Sequence, residues 1–295
     1  MDGKQSPNIA STSWWQRFIH GACRVWQRPE WSVFVGPDWL DRALTLEPTD
    51  DFHAKQGRST CRVVLQAQGQ KLGVYLKRHY RLPWWHGLLA TIFPEVGWSP
   101  AWQEWRHLQW AKKHGLSVPE TTAVAEFVGP WFKLQSFLAI EELTDMVRLH
   151  EAIPLAGSLL DCKTFHSWKR GLISELARLT RMLHRRRRFH KDLYLSHFFI
   201  PRSAIGRVAD WRGQVYLIDF HRLRHHPVTW PLWQAKDLGQ LLFSSELPGV
   251  TARDRLRFWR CYRGNELRDG WLRSLILFKH WTYQRHRTRK RRRAA

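Results

Sequence analysis

Four charged residues that lie far apart in the sequence have the types and the order that phosphoryl transfer requires. Lys77 ends the segment VYLK, and Glu104 lies in the predicted helix that follows. Asp192 precedes the apolar run LYLSHFFI, and Asp219 closes the segment QVYLID. A cation must hold the nucleotide phosphates, a carboxylate must orient that cation, and oxygen ligands must hold Mg²⁺. Another carboxylate must lie beside the attacking hydroxyl group, so these four residues together predict a phosphotransferase.

Each of these residues also has a structural interpretation. A lysine at the end of a strand and a glutamate on a helix are usually solvated surface residues. An aspartate next to apolar segments is costly to bury unless it has partners or a function, which favours Asp192 and Asp219 as functional residues. The hypothesis therefore depends on the ordered set of four more than on any one member.

The segments that carry these residues are predicted to alternate between strands and helices. Residues 60–77 predict a β-hairpin that turns near Gly69, and residues 132–143 predict a strand that ends at two acidic residues. Residues 100–114 predict a helix, and leucines at positions 172, 176, 179 and 183 predict a second helix over 167–184. A strand-rich half followed by a largely helical half is typical of an α+β fold.

Several of these segments resemble one known family. HKDLYLSHFFI followed by VYLIDFHR resembles the Kdo and heptose kinases of the lipopolysaccharide core, which are distant relatives of protein kinases. LKRHYRLPWW, EWRHLQWAKKHGLSVPE and AIEEL resemble that family's lysine strand, following helix and hinge. The resemblance extends from about Gly57 to Ser245. It implies a bilobal protein-kinase-like fold, with a small β-rich N-lobe and a larger helical C-lobe.

The resemblance also implies roles for the four charged residues. Asp192 would be the catalytic acid–base residue, and Asp219 would be a metal ligand. Lys77 would hold the phosphates of ATP and would pair with Glu104. The implied cofactors are therefore ATP and Mg²⁺.

Two further segments would contact the nucleotide if the resemblance holds. Gly57, Arg58 and Ser59 would form a short turn over the phosphates. The backbone from Glu141 to Leu143 would meet the adenine.

The sequence departs from the protein-kinase pattern at several positions. His197 stands where a protein kinase has the asparagine that binds a second Mg²⁺, and His221 stands where it has a glycine. Imidazole binds Mg²⁺ less well than an amide oxygen, so His197 either binds a metal or contacts substrate phosphate. The run Arg185–Arg188 is either a solvated helix end or a site for the acceptor. Asp237 is expected to brace the catalytic loop by hydrogen bonds.

The charge and tryptophan content indicate an anionic partner. Lys and Arg number 48 against 25 Asp and Glu, which gives a formal net charge of +23, and there are 19 tryptophans. A nucleic acid, an anionic membrane surface or a phosphorylated glycolipid would each match this charge, and the tryptophans fit a membrane surface better than a nucleic acid. The resemblance implies a lipopolysaccharide core glycolipid as acceptor and peripheral contact with an anionic inner membrane. No zinc-finger spacing or RNP-type motif is present, so no specific nucleic-acid partner is predicted. Without an apolar signal segment or an 18-residue apolar stretch, we expect a cytoplasmic protein on the inner face of the inner membrane.

The chain is predicted to have four parts: an N-terminal extension (1–49), an N-lobe (50–140), a C-lobe (141–284) and a basic tail (285–295). Residues 13–27 predict an amphipathic helix that either lies in lipid headgroups or packs on the domain. The tail is expected to be solvated and disordered until it meets an anion.

The functional hypothesis is an ATP-dependent kinase that phosphorylates a Kdo or heptose hydroxyl of the lipopolysaccharide inner core. Two alternatives stay open. One is a kinase whose acceptor is a protein or another glycolipid. The other is a catalytically weak kinase-fold scaffold at the membrane.

Overall fold

The computed structural model describes residues 9, 12–42, 44–45, 50–55, 57–207, 210–264 and 270–294. The chain divides into two compact units. Unit 1 comprises Met1–Trp110 and Pro119–Leu143, and unit 2 comprises Ala111–Val118 and Thr144–Ala295.

Unit 1 is built on a six-stranded antiparallel sheet. Its strands are β1 (Ala22–Gln27), β2 (Asp50–Lys55), β3 (Arg58–Ala67), β4 (Gln70–His79), β5 (Thr121–Val128) and β6 (Leu134–Glu141). They lie in the order β1-β5-β6-β4-β3-β2. In β3, the buried side chains of Cys61 and Val63 alternate with more exposed neighbours, as a strand with one face on a core requires. Gly69 has φ +75° in the turn from β3 to β4, so the predicted hairpin is confirmed.

Among the described residues, five α-helices belong wholly or partly to unit 1. They are α1 (Trp14–His20), α2 (Trp31–Val35), α3 (Trp39–Arg42), α4 (Trp84–Ile92) and α5 (Pro100–Lys113). The core on one side of the sheet includes Trp31, Trp39 and Phe137, whose rings contact one another. The helix predicted over 100–114 corresponds to α5.

Unit 2 is mainly helical. Its helices are α6 (Leu149–Leu159), α7 (Cys162–Arg185), α8 (Trp230–Ser244), α9 (Ala252–Arg263) and α10 (Gly270–Ala294). Its short strands are β7 (Met146–Arg148), β8 (Arg188–Phe189), β9 (Phe198–Pro201), β10 (Tyr216–Leu217) and β11 (Arg224–His225). Asp161 caps α7 by accepting hydrogen bonds from the backbone N–H groups of Lys163 and Thr164. The four periodic leucines predicted to define this helix are all buried.

Three predicted boundaries differ from the structure. Residues 13–27 do not form one helix, because α1 ends at Gly21, which has φ +75°, and β1 then pairs with β5. The predicted extension 1–49 is therefore not separate from the N-lobe, since β1 is an edge strand of the unit 1 sheet. The backbone of residues 285–294, predicted to be a disordered tail, continues helix α10. Within the described residues, no helix is long and apolar enough to cross a membrane.

Candidate active site

An ion pair in unit 1 joins the predicted nucleotide-binding lysine to its predicted partner. The Nζ atom of Lys77, on β4, lies 2.6 Å from Oε1 of Glu104, on α5. The side chain of Glu104 is 3% exposed and that of Lys77 is 21% exposed. A charge-assisted hydrogen bond from a nearly buried carboxylate fixes the position of the ammonium group while leaving it accessible. The structure thus brings together two residues that are 27 positions apart.

The turn before β3 contains the other predicted phosphate contacts. Gly57 has φ +81°, a conformation that favours glycine, and its carbonyl accepts a hydrogen bond of 2.7 Å from the amide of Tyr80. The side chain of Arg58 is exposed. Ser59 is buried, and its hydroxyl group lies within hydrogen-bond distance of the Tyr80 hydroxyl (3.1 Å) and of Nε of Arg78 (3.2 Å). The Ser59 side chain therefore supports the sheet instead of facing a ligand.

The predicted hinge lies where β6 ends. The amide of Glu141 donates to the carbonyl of Glu120 at 2.7 Å, and the amide of Glu142 donates to the carbonyl of Gly73 at 2.9 Å. These two N–H groups are used inside unit 1 and are not available to a nucleotide base. Leu143 is the last residue of unit 1.

Asp192 lies in a loop of unit 2 between β8 and β9, and its carboxylate forms an ion pair with Arg222. Nη1 of Arg222 donates to Oδ2 of Asp192 at 2.7 Å, and Nε2 of Gln240 lies 3.5 Å from Oδ1. The Asp192 side chain remains 19% exposed. Its carboxylate is therefore positioned on both oxygens and still accessible to a hydroxyl group. Sequence reasoning missed Arg222, which lies 30 residues away along the chain.

The loop that carries Asp192 is held by a fully buried carboxylate. Asp237, on α8, accepts hydrogen bonds of 2.8 Å from the amides of both His190 and Lys191. Lys191 has φ +69°, a conformation that is uncommon for a residue with a side chain and that persists only where surrounding contacts fix it. The predicted bracing role of Asp237 is confirmed.

Two more side chains of α8 bind the same loop. Oε1 of Gln240 accepts from the amide of Leu193 at 3.1 Å, and the Ser244 hydroxyl accepts from the amide of Leu195 at 3.0 Å. Positions 237, 240 and 244 share one face of the helix, because residues three and four apart are neighbours on a helix surface. The sequence signal is the spacing of these three polar residues within an otherwise apolar helix. Of the three, the sequence-based prediction named only Asp237.

Asp219 is held close to the same loop. It has φ +67°, and one carboxylate oxygen lies 2.5 Å from Nδ1 of His221. The other oxygen lies 4.0 Å from Nε2 of His197, whose Nδ1 is 2.6 Å from the backbone carbonyl of Asp192. His197 thus connects the two aspartates. Nδ1 of His197 donates its proton to this carbonyl and Nε2 faces Asp219, which is the arrangement found in metal-binding histidines.

The side chains around Asp219 offer few protein ligands for Mg²⁺. The part of the chain that the structure describes contains no cluster of three or more His, Cys, Asp or Glu side chains arranged to hold a metal ion. Protein sites for Mg²⁺ commonly supply one or two carboxylates and leave the remaining positions to water and substrate phosphates. Asp219 fits that pattern, and His197 is a candidate second ligand, with a nitrogen that Mg²⁺ binds less readily than oxygen.

His190 fixes the loop to the segment that bears Asp219. Its ring is fully buried, and Nε2 donates to the carbonyl of Ile218 at 2.9 Å. Burial lowers the pKa of His190, so the neutral ring is favoured. A neutral imidazole can bridge the two segments without adding a charge to a site that already holds two carboxylates.

A comparison with models of protein families shows which family this chain resembles in sequence. Residues 46–262 match the model of the "Lipopolysaccharide kinase (Kdo/WaaP) family". The chain belongs to this family. Like the other members it is a kinase, a phosphotransferase that uses an alcohol group as acceptor.

Individual members of the lipopolysaccharide kinase family are similar over most of the chain. The "Lipopolysaccharide core heptose(I) kinase WaaP" of Pseudomonas aeruginosa is 30% identical over 217 residues, which cover 72% of this chain and 76% of the relative. The Escherichia coli protein of the same name is 28% identical over 248 residues, covering 82% and 88%. A solved structure described as "WaaP in complex with acyl carrier protein" matches with a TM-score of 0.66 and 25% identity, covering 88% and 98%. The predicted kinase-like α+β fold is confirmed.

Several cations lie close to the loop that carries Asp192. Nζ of Lys191 lies 3.8 Å from the ring centroid of Trp233, and Lys236 lies 5.6 Å from the same centroid. Burial, followed by the charges of Lys236 and Arg222, lowers the pKa of Lys191. Burial, followed by the charge of Arg222, also lowers the pKa of Lys236. This concentration of positive charge beside Asp192 favours an anionic ligand.

The basic run at the end of α7 is divided among several environments. Arg185 ends the helix, and Arg186 is its C-cap. Arg187 has φ +54°, and its guanidinium group lies 3.9 Å from the ring centroid of Trp230. Arg188 pairs with His225 in a two-stranded ribbon.

Proposed function

We propose that this chain transfers the γ-phosphoryl group of ATP to a heptose hydroxyl of the lipopolysaccharide inner core. The observation that carries the proposal is the connection of Asp192 to Asp219 through His197 within unit 2. The heptose acceptor is the one named for the relatives from Pseudomonas aeruginosa and Escherichia coli. The Kdo sugar is the alternative acceptor within the same family.

The side chains of unit 2 support a division of labour in the reaction. Asp192 is placed to orient the acceptor hydroxyl and to accept its proton, since one carboxylate oxygen is held by Arg222 and the side chain is partly exposed. Asp219, with His197, would hold Mg²⁺, which when bound neutralises the charge of the nucleotide phosphates. Positioning and charge neutralisation supply most of the rate in such a reaction.

In unit 1, the Lys77–Glu104 pair supports the use of ATP. A cation held by a nearly buried carboxylate suits the α- and β-phosphates of a nucleoside triphosphate. The backbone of Gly57 and the exposed side chain of Arg58 remain candidates for phosphate contact. The amides of Glu141 and Glu142 are engaged elsewhere, so an adenine contact at the hinge would fall to Leu143.

The cations around Asp192 support an acceptor that already carries negative charge. Lys191, Arg222 and Lys236 crowd one side of the loop, and their mutual repulsion would be relieved by carboxylate or phosphate groups. The inner core of lipopolysaccharide is such an acceptor. Arg222 is already paired with Asp192, but a neutral small sugar would supply no anion for Lys191 and Lys236.

The proposal is tested by incubating the protein with ATP, Mg²⁺ and purified, unphosphorylated inner-core glycolipid. Fragmentation of the product by mass spectrometry identifies the sugar that gained the phosphate. Phosphate on heptose supports the proposal, and phosphate on Kdo moves the function to the alternative acceptor. No transfer to the glycolipid, with ATP binding intact, would favour another acceptor. No ATP binding at all would favour the scaffold.

A protein partner is proposed on a separate observation. Unit 2 contains a mostly apolar cavity of about 460 Å³ among α7, α8, α9 and α10. Leu176, Leu238, Phe258 and Ile276 are among its lining residues. The similar structure contains an acyl carrier protein, and an apolar cavity of this size suits an acyl chain. We expect acylated carrier protein to bind this chain and Leu238→Arg to abolish the complex. If acylated carrier protein does not bind the wild-type chain, the proposal is contradicted.

A further inference from the structure

Unit 1 exposes large aromatic side chains on three separate elements. We call them the tryptophan surface, and its members are Trp14, Trp15, Trp84, Trp85, Phe93 and Trp131. Trp131 is 71% exposed and Trp84 is 68% exposed. Isolated exposed apolar residues are ordinary, but several large aromatic residues on adjoining elements mark an interaction site.

The first part of this surface is continuous from α1 to the turn between β5 and β6. The rings of Trp15 and Phe18 have centroids 5.7 Å apart, and those of Phe18 and Trp131 are 4.9 Å apart. The amide of Trp131 donates to the carbonyl of Phe18 at 2.9 Å. The exposed rings on α1 and on the turn therefore belong to one packed group.

Helix α4 is fixed against the same two elements. Nε of Arg17, on α1, donates to the carbonyl of Thr91, on α4, at 2.8 Å. Gly87 allows α4 to approach the turn so closely that a Cβ atom at this position would lie 1.7 Å from the carbonyl oxygen of Phe132. These two contacts fix α1, α4 and the turn relative to one another within unit 1. The exposed rings of the tryptophan surface take no part in them.

Positive charge predominates around this surface. Residues 14–20, 84–93 and 129–133 include no Asp or Glu. Exposed cationic or titratable side chains nearby are those of His20, Arg81 and Lys133. Glu95 follows α4, and its charge acts on the buried Arg17. Aromatic rings flanked by cations match an anionic lipid surface, whose headgroup region favours tryptophan and attracts positive charge.

We propose that the tryptophan surface of unit 1 inserts into the headgroup region of an anionic bilayer. The inference goes beyond the proposed phosphotransfer and stands apart from it, because Lys77, Glu104, Asp192 and Asp219 are not part of the surface. It places the membrane contact on α1, α4 and the β5–β6 turn, and not on the basic residues of α10. A second copy of this chain is the competing occupant.

Binding to vesicles tests the proposal. Phosphatidylethanolamine vesicles with a minority of phosphatidylglycerol are sedimented with the wild type and with the combined variant Trp14→Gln, Trp15→Gln and Trp131→Gln. We expect the apparent Kd of the variant to rise on the order of 100-fold, from the loss of three inserted rings. At about 1 M salt, which screens charges beyond about 3 Å, the wild type should stay bound and the variant should not.

A matched control uses exposed aromatic residues on α10. Trp271, Phe278 and Trp281 are 52%, 55% and 47% exposed, and their combined replacement by Gln should leave vesicle binding within about twofold of wild type. Loss of binding in this control but not in the unit 1 variant would overturn the proposal. So would a lipid-free dimer that the unit 1 substitutions dissociate. Both variants should phosphorylate detergent-dispersed acceptor at the wild-type rate, so failure of vesicle binding is distinct from failure of the kinase proposal.

Discussion

Asp192 and Asp219 are two carboxylates of the same unit that are held in place by different means. The loop of Asp192 depends on distant side chains, since Asp237 and Gln240 of α8 bind its backbone amides. Asp219 also has local support, because its own backbone has φ +67° and its neighbour His221 binds its carboxylate. His197 lies between the two aspartates, because it contacts the backbone carbonyl of Asp192 and faces the carboxylate of Asp219.

This difference predicts how each side of the site fails. Damage to α8 should displace the group that orients the acceptor, which lowers kcat and also destabilises unit 2. Damage around Asp219 should change the demand for Mg²⁺ while leaving the fold intact. The predictions below test that contrast, beginning with the largest effect.

The largest effect is expected from Asp192→Asn. Loss of the proton acceptor should lower kcat about 10³-fold, the usual contribution of a positioned acid–base group. The Kd for ATP and the thermal unfolding midpoint should stay near the wild-type values, because the amide retains the shape of the side chain. Single-turnover transfer and nucleotide titration measure the two quantities. A variant that loses ATP binding together with turnover would place Asp192 in the nucleotide site instead.

The next effect concerns the remote support. Asp237→Ala leaves the buried amide of His190 and the partly buried amide of Lys191 without their acceptor, and we expect the free energy of unfolding to fall by about 3 kcal/mol. Chemical denaturation measures this change. The matched control is Asp161→Ala, which also removes an acceptor of two backbone amides but at an exposed helix start. Equal losses in the two variants would contradict the importance of burial.

The sequence predicted the chemical groups of the site better than their supports. The four charged residues can be recognised because each lies within or at the end of a segment whose apolar residues repeat with the period of a strand or a helix. They are Lys77, Glu104, Asp192 and Asp219. Their local strands and helices follow from that same pattern.

The supports could not be predicted because they join segments distant in the sequence. The contacts of Gln240 and Ser244 with the loop span 47 and 49 residues, and spacing along α8 does not say which segment its polar face meets. Residues 13–27 show a related limit. Their apolar residues fit a helix, but pairing with β5 makes 22–27 a strand. The resemblance places Ser59 in the turn over the phosphates. In the structure its side chain lies on the buried face of β3, beside Arg78.

A smaller effect should separate the local support from the remote one. His197→Ala removes the side chain that faces Asp219, and we expect the Mg²⁺ concentration for half-maximal activity to rise about tenfold. His197→Asn supplies an amide oxygen and should recover most of the Mg²⁺ affinity. Titration of activity with Mg²⁺ at saturating ATP measures both. An unchanged Mg²⁺ requirement in His197→Ala would remove His197 from the metal site and favour its alternative contact with substrate phosphate.

The smallest effect is expected from Gln240→Ala, which removes the contacts of this side chain with the amide of Leu193 and with Oδ1 of Asp192 but leaves Asp237 in place. The amide of Leu193 loses its acceptor, and a single neutral hydrogen bond contributes about 1 kcal/mol, so kcat should fall about fivefold. Gln234→Ala is the control on the same helix, because Nε2 of Gln234 donates to the Tyr262 hydroxyl at 2.6 Å and does not bind the loop. If both variants lower kcat equally, α8 acts only through its stability. If Gln240→Ala alone does so, with an unchanged Mg²⁺ requirement, the helix positions Asp192 independently of Asp219.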